Sequence, residues 1–235
     1  MNQTVVNEAK FCECGCGKIT GPKARFCAGH NTAHPIKPIS SEDLGRLYGT
    51  LLGDTYIGYP HKGSHSPRFS MNHGKVASAY ANHKAAKLSS FYTCVKDMKN
   101  GGFGDMNTRV TSQCHPVLVE VHATINPGIN QKWLDSISDE GVAWWYMDDG
   151  SASFGRNDEL IGVSFHTNAY NSGEHEILVR WLNSKGFDAK ISISRKLDGR
   201  QFLYLRLNKD MAYNWVREFK KYVAPGMEYK FCEHR

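Results

Sequence analysis

Two acidic residues sit where architecture alone has little use for them. Asp54 closes the apolar run Leu47-Tyr48-Gly49-Thr50-Leu51-Leu52-Gly53, and Asp149 closes Val142-Ala143-Trp144-Trp145-Tyr146-Met147-Asp148 in the second half of the chain. Both runs have helical length and end on an acid followed by a small or turn-prone residue. The helix macrodipole disfavours an anion at a C-terminus, so a carboxylate there invites a bound metal ion. A second set of ligand-type residues lies near the start: Cys12, Cys14, Cys16, Cys27 and His30. Their spacing suits a small structural zinc knuckle closed by the Cys27-x-x-His30 pair, and tetrahedral zinc needs four of the five. Lys18, Lys23 and Arg25 beside it could touch phosphates.

The elements that must position these groups follow from periodicity. Ser40-Ser41-Glu42-Asp43 supplies an N-cap and first-turn acids for the helix running to Asp54. On that helix Gly45, Gly49 and Gly53 recur every fourth residue. Each weakens a helix by about 1 kcal/mol relative to Ala, so the bare face implies close approach of a second helix, for which the run from Val142 to Asp149 is the natural partner. After the first run, residues 56–59 and 68–72 read as strands, 76–98 as one long helix, and 108–113 and 117–122 as strands. After the second, 152–154 and 160–167 are strands, 173–184 a helix, 189–195 and 202–207 strands, and 210–222 a closing helix. The fold class expected is α+β: two pseudo-symmetric αββαββα halves, each with an antiparallel sheet (saddle-shaped, in the family the chain resembles below), and a small N-terminal zinc-binding module. The expected divisions are residues 1–40 for the module and its Pro-containing linker, 41–140 for the first half and 141–235 for the second.

The strands alternate. Arg68, Ser70 and Asn72 share one face, as do Arg109, Thr111 and Gln113; Lys190, Ser192 and Ser194; and Tyr204 and Arg206. Half-solvated sheets always carry a polar face. Here every set offers guanidinium, amide or hydroxyl groups, the side chains that read base edges and phosphates.

Composition is compatible with such a partner. The 235 residues carry a net charge of +6, spread as +3 over residues 1–40, +1 over 41–140 and +2 over 141–235. The bias permits a polyanion without demanding one. The sequence shows no signal peptide and no apolar run long enough to span a bilayer, and seven cysteines without a secretory signal argue against a disulfide scaffold. An intracellular, reduced protein is expected, in the cytoplasm of a prokaryotic or phage-infected cell or in an organelle.

With Ala143-Trp144-Trp145-Tyr146-Met147-Asp148-Asp149-Gly150 as the more specific motif and Leu47 to Asp54 as the weaker one, the chain resembles the single-chain LAGLIDADG homing endonucleases. Val223-Ala224-Pro225-Gly226-Met227-Glu228-Tyr229-Lys230 resembles a family ending in which Pro and Met precede Tyr-Lys. The likeness covers roughly residues 41–231 and leaves out the knuckle, which looks like metal-binding appendages of phage-type mobile nucleases.

The resemblance implies a Mg²⁺-dependent enzyme that cuts both strands of a long double-stranded DNA site, leaving 3′ overhangs. Asp54 and Asp149 would be catalytic and hold Mg²⁺, with the backbone carbonyls of Gly53 and Asp148 as further ligands and Lys230 as the basic residue near one reaction centre. The matching first-half lysine is expected near Asn126–Ile129, where the chain has Asn126-Pro127-Gly128-Ile129. Gln131 or Lys132 substitutes, or one strand is cut more slowly. The alternatives are an inactive DNA-binding regulator or a maturase that binds intron RNA. A monomer is expected, because two halves in one chain already supply the pseudo-twofold axis. The other histidines, His61, His65, His73 and His83 among them, show no ligand spacing and read as surface or core imidazoles.

Overall fold

The computed structural model describes residues 10–13, 18–27, 37–99, 106–195, 199 and 201–234. The chain runs through α1 (Ser41–Thr50), β1 (Thr55–Gly58), β2 (Arg68–Gly74), α2 (Ser78–Lys87), β3 (Cys94–Lys99), β4 (Met106–Thr111), α3 (Val117–Ile125) and α4 (Gln131–Asp135). It repeats the order with α5 (Asp139–Asp149), β5 (Gly150–Phe154), β6 (Leu160–Phe165), α6 (Ser172–Ser184), β7 (Ala189–Arg195), β8 (Gln201–Leu207) and α7 (Lys209–Phe219). A short 3₁₀ turn at Glu228–Phe231 ends the second unit. The strands form two four-stranded antiparallel sheets, ordered β1-β2-β4-β3 and β5-β6-β8-β7. The α+β class with two antiparallel sheets agrees with the expectation from periodicity.

Two elements of the first half differ from that expectation. The helix expected over residues 76–98 stops at Lys87, and residues 94–99 form β3 on the sheet edge. The helix gives way at Leu88 to a 3₁₀ turn at Ser89–Phe91, which ends on Tyr92 in left-handed backbone, φ 51°, with no Gly or Pro to announce it. Residues expected as a strand over 117–122 are helix α3. Its buried positions Leu118, Val121 and Thr124 recur every third residue, so burial on one helical face overrides the β-preference of its valines.

α1 and α5 lie side by side, each capped by a serine. Ser40 Oγ accepts from the Asp43 N–H at 3.0 Å and Ser138 Oγ from the Gly141 N–H at 3.2 Å. The glycine face of α1 is used as expected, but its counterpart begins earlier on α5. A Cβ on Gly45 would sit 2.6 Å from Ser138 Cβ, one on Gly53 would sit 2.6 Å from Asp148 Cβ, and one on Gly49 would collide with the Gly141 backbone. Backbone-to-backbone approach at Gly49 and Gly141 is what the missing side chains permit.

The core gathers around α5, where Trp144, Trp145 and Tyr146 are fully buried. Trp145 stacks on Phe165 at 4.4 Å, and Tyr146 meets Trp215 edge-on at 5.7 Å. Several contacts tie the two units. Arg46 on α1 donates to Glu140 on α5 at 2.7 Å, Trp133 Nε1 donates to the Tyr48 carbonyl at 3.0 Å, and Tyr170 Oη donates to the Leu52 carbonyl at 2.6 Å. Glu174, which closes the capping box of α6, also accepts from the Ile129 N–H at 3.1 Å.

Candidate active site at the base of the paired helices

The helix pair ends at a cluster of three carboxylates and two lysines. Asp54 follows the last turn of α1 and keeps 40% of its side chain exposed. His73 on β2 lies buried beside it, Nδ1 3.4 Å from Asp54 Oδ2. Burial alone would raise the Asp54 pKa, but the His73 hydrogen bond and the charges of Lys84 and Lys230 outweigh it and hold the group below its ordinary range. Asp149, the last residue of α5, goes the other way. Burial, then the neighbouring Asp54 and Asp148 charges, push it up to about 7 against the pull of both lysines.

Lys230, buried in the 3₁₀ turn, donates to the Met147 carbonyl at 2.5 Å and faces the Asp148 carbonyl at 3.5 Å. It thereby satisfies the end of α5 and offsets the macrodipole that opposes Asp149. Burial pulls the Lys230 pKa down. Asp149 and Lys230 line a cavity of about 680 Å³ with Ser151, His166, Tyr229 and His234.

The expected first-half lysine is not supplied by the neighbours of Ile129. Lys132 points outward, 67% exposed, 3.5 Å from Glu120, and Gln131 bonds Asp135 at 2.7 Å. The sequence Pro127-Gly128-Ile129-Asn130-Gln131-Lys132-Trp133 repeats the pattern of Pro225-Gly226-Met227-Glu228-Tyr229-Lys230-Phe231, down to left-handed glycines at φ 92° and 86°. Only the second copy aims its lysine at a helix end. The cation that reaches the cluster from the first unit is Lys84 of α2, fully buried and 2.5 Å from Asp148 Oδ1. Sequence reading missed it because a lysine inside an amphipathic helix signals a solvated face. In sequence His73 reads as one more surface or core imidazole, and its spacing to Asp54 carries no motif.

Asp54, His73 and Asp148 bring their ligating atoms within 4.8 Å of one another. The cluster holds three acids against two lysines, and burial first, then the neighbouring acids, raises Asp149. The carboxylate oxygens of Asp54 and Asp149 are hard donors of the kind that suits a divalent cation.

The sheet faces carry the residues expected there. Arg68 and Asn72 are exposed and Ser70 half-buried on β2; Arg109 is exposed and Thr111 half-buried on β4. Gln113 lies exposed just beyond β4. Arg109 donates to Asn72 Oδ1 at 2.8 Å. With Tyr92 and Lys96, which the misread helix concealed, Arg68, Arg109, Thr111 and Gln113 line a cavity of about 430 Å³. On the second sheet Lys190 pairs in register with Arg206, and Ser192 with Tyr204. The opposite face of β7 is less buried than alternation implies: Ile191 and Ile193 are exposed on this edge strand.

In the N-terminal segment, Phe11 and Ile19 form an antiparallel bridge, and the Cys27 N–H donates to Cys12 Sγ at 3.2 Å. Cys14, Cys16 and His30 lie outside the described residues. Among the described residues, no helix is long and apolar enough to cross a membrane.

Paired motif helices over two four-stranded antiparallel sheets, with carboxylates at the base of the pair, define a two-motif α+β protein. The LAGLIDADG DNA endonuclease family matches residues 45–212, and the chain belongs to that family. It is 32% identical over 100 residues to a probable intron-encoded endonuclease 1 of Wickerhamomyces canadensis, covering 41% of each protein. It is 26% identical over 212 residues to the cytochrome b mRNA maturase bI2 of Debaryomyces hansenii, covering 83% of this chain and 75% of that one. The chain spans about half the length, or less, of several curated relatives it matches. Among solved structures, the homing endonuclease I-WcaI bound to its DNA recognition sequence shares the fold, with a TM-score of 0.67 and 19% identity over 85% of this chain and 89% of that one.

Proposed function

We propose that the protein is a site-specific DNA endonuclease that cuts both strands of a long duplex site, with Asp54 and Asp149 as its catalytic, Mg²⁺-holding carboxylates. The observation that carries this reading is the convergence of Asp54 and Asp149 with Lys84 and Lys230 at the base of α1 and α5. Family membership and the DNA-bound neighbour of like fold support it. The Gly53 and Asp148 carbonyls are the further oxygen donors in this reading. A divalent ion bound there supplies Lewis acidity and an activated water for attack on a phosphodiester.

The chain's own groups do the rest. Asp54, held ionised beside His73, presents a ready anion. Asp149 releases its proton when positive charge arrives. Lys230, fixed on the Met147 carbonyl, keeps an ammonium next to Asp149 where charge develops on a phosphate. Arg68, Ser70, Asn72, Arg109, Thr111, Gln113, Lys190, Ser192, Ser194, Tyr204 and Arg206 contact the duplex, with cleavage leaving 3′ overhangs. The reading includes a monomer that works inside the cell, with halves at residues 41–140 and 141–235 behind a module at 1–40. Zn²⁺ in that module, held by four of Cys12, Cys14, Cys16, Cys27 and His30, belongs to the same reading.

The test is incubation of purified protein with a randomised duplex library, with Mg²⁺ and with chelator. Metal-dependent double-strand cuts at one long site are expected. Binding that survives chelation, without strand breaks, would overturn the nuclease reading. Tighter binding to an intron transcript than to any duplex would favour the maturase reading, which the Debaryomyces relative motivates.

A further inference from the structure

The side chain of Asp148 is the most heavily bonded carboxylate of the cluster, and every donor comes from the first unit. Its Oδ1 accepts from Lys84 Nζ at 2.5 Å and Tyr80 Oη at 2.9 Å. Its Oδ2 accepts from Thr50 Oγ1 at 2.7 Å and faces the Asp54 N–H at 3.5 Å. Four donors match the roughly four lone-pair directions of a carboxylate, so none is left for a metal. Asp148 and Lys84 are both fully buried. Lys84 also lies over the Tyr80 ring at 4.4 Å and the Trp144 ring at 5.8 Å.

The network continues to the far side of Asp54. Thr50 Oγ1 has one proton, which goes to Asp148, so it accepts from Lys84 at 2.7 Å and from Thr55 Oγ1 at 2.8 Å. The residue after Asp54 and its own N–H are therefore both tied to the same buried pair. Among the described residues the second unit has no counterpart. The position before Asp54 is Gly53, whose empty Cβ site faces Asp148, and Asp149 is reached instead by Lys230 through backbone carbonyls.

We propose that Lys84, Asp148, Thr50 and Tyr80 form a positioning latch for Asp54, which governs cleavage of one DNA strand and leaves the other to Asp149 and Lys230. In this assignment Asp148 contributes no side-chain metal ligand, and Lys84 supplies the charge that Lys132 does not deliver. The inference rests on the nuclease reading above, and its test separates the two. Buried pairs replaced by apolar residues commonly keep or gain stability, whereas removal of one partner is costly. The test therefore compares Lys84→Met, Asp148→Leu and the double variant on a duplex target labelled separately on each strand.

Each single variant lowers Tm, and the double variant recovers it. The double variant nonetheless loses about 10- to 100-fold in cutting one strand and stays within about threefold on the other, the size of effect typical of lost supporting contacts. Lys230→Met marks the second strand, and its loss must fall on the strand the latch variant spares. Recovery of both rates with Tm, or equal loss on both strands, overturns the latch. A wild type that cuts neither strand sinks the nuclease reading, and the latch is then judged by the Asp54 amide. In the double variant that amide exchanges hydrogen at least about tenfold faster while the Asp149 amide is unchanged, as expected for loss of a local tie; an unaltered Asp54 amide overturns the proposal.

Discussion

Asp54 and Asp149 occupy corresponding ends of paired helices, yet their surroundings differ in kind. Asp54 is partly open, flanked by His73 and bracketed by side-chain bonds that run across the helix pair. Among the described residues Asp149 has no such bracket; Lys230 approaches it from the Glu228–Phe231 turn through the carbonyls of α5. One carboxylate is consequently held below its ordinary pKa and the other pushed up to about 7. A duplicated architecture can thus carry two electrostatically opposite centres, because the helix ends are set by backbone while the charge balance is set by a few non-repeated side chains.

The largest effect expected from breaking this asymmetry is on cleavage. Asp54→Asn and Asp149→Asn should each lower the double-strand cutting rate by about 10³-fold or more, the several kcal/mol that a metal-bound charge supplies. The two should part company in thermal melts without divalent ions. Asp54, depressed in the fold, stabilises above its unfolded pKa of about 4 and loses that contribution as pH falls through the folded value, so Asp54→Asn should lower Tm at neutral pH. Asp149 is raised, so its favourable contribution is present below about pH 4 and is lost as pH rises toward 7. Asp149→Asn should therefore raise Tm above pH 7, and Mg²⁺ should raise the wild type selectively there. Matching shifts in both variants would erase the distinction between the centres.

A second contrast concerns the lysines. Lys84→Met leaves the Asp148 carboxylate buried without its cation and should destabilise by about 3–5 kcal/mol in denaturant titration. Gly49→Ala, which tests the common scaffold, should cost about 1–3 kcal/mol, because the added methyl meets the Gly141 backbone and both helices must shift. Lys132→Ala should change stability by less than about 0.5 kcal/mol and leave both strand rates within about twofold, since its only described pairing is with exposed Glu120. A large effect there would mean that the first half uses its repeated lysine after all.

The second half was legible from sequence almost residue by residue, because its strands alternate cleanly and its helices carry apolar faces with capping residues. Strand β7 begins and ends where the pattern of residues 189–195 places it. In the first half α1, β1, β2 and β4 fall where the pattern places them, but β3 and α3 do not. Cys94–Lys99 lacks alternation and follows a 3₁₀ turn that ends on a left-handed tyrosine, while α3 is spelled in β-branched residues. The terminal carboxylates, the glycine face and Lys230 were visible as motifs. Lys84, His73 and the carboxylate-binding role of Thr50 were hidden, since a buried ion pair between α2 and α5 depends on where two distant helices meet and leaves no spacing to read.

The shared use of Glu174 reaches beyond this chain. Its carboxylate caps α6 and at the same time holds the Ile129 N–H of the other unit. Recombination that swaps halves between relatives would thus cut through a hydrogen-bonded unit written in two places in the gene. A hybrid that inherits residues 128–129 from one parent and Glu174 from another keeps its helix cap but retains the bond between the halves only if both parents share this geometry. Chimeras built to join new half-site specificities should fare best when the segment around Ile129 travels with the second half, a constraint that no alignment of the two motif helices would reveal.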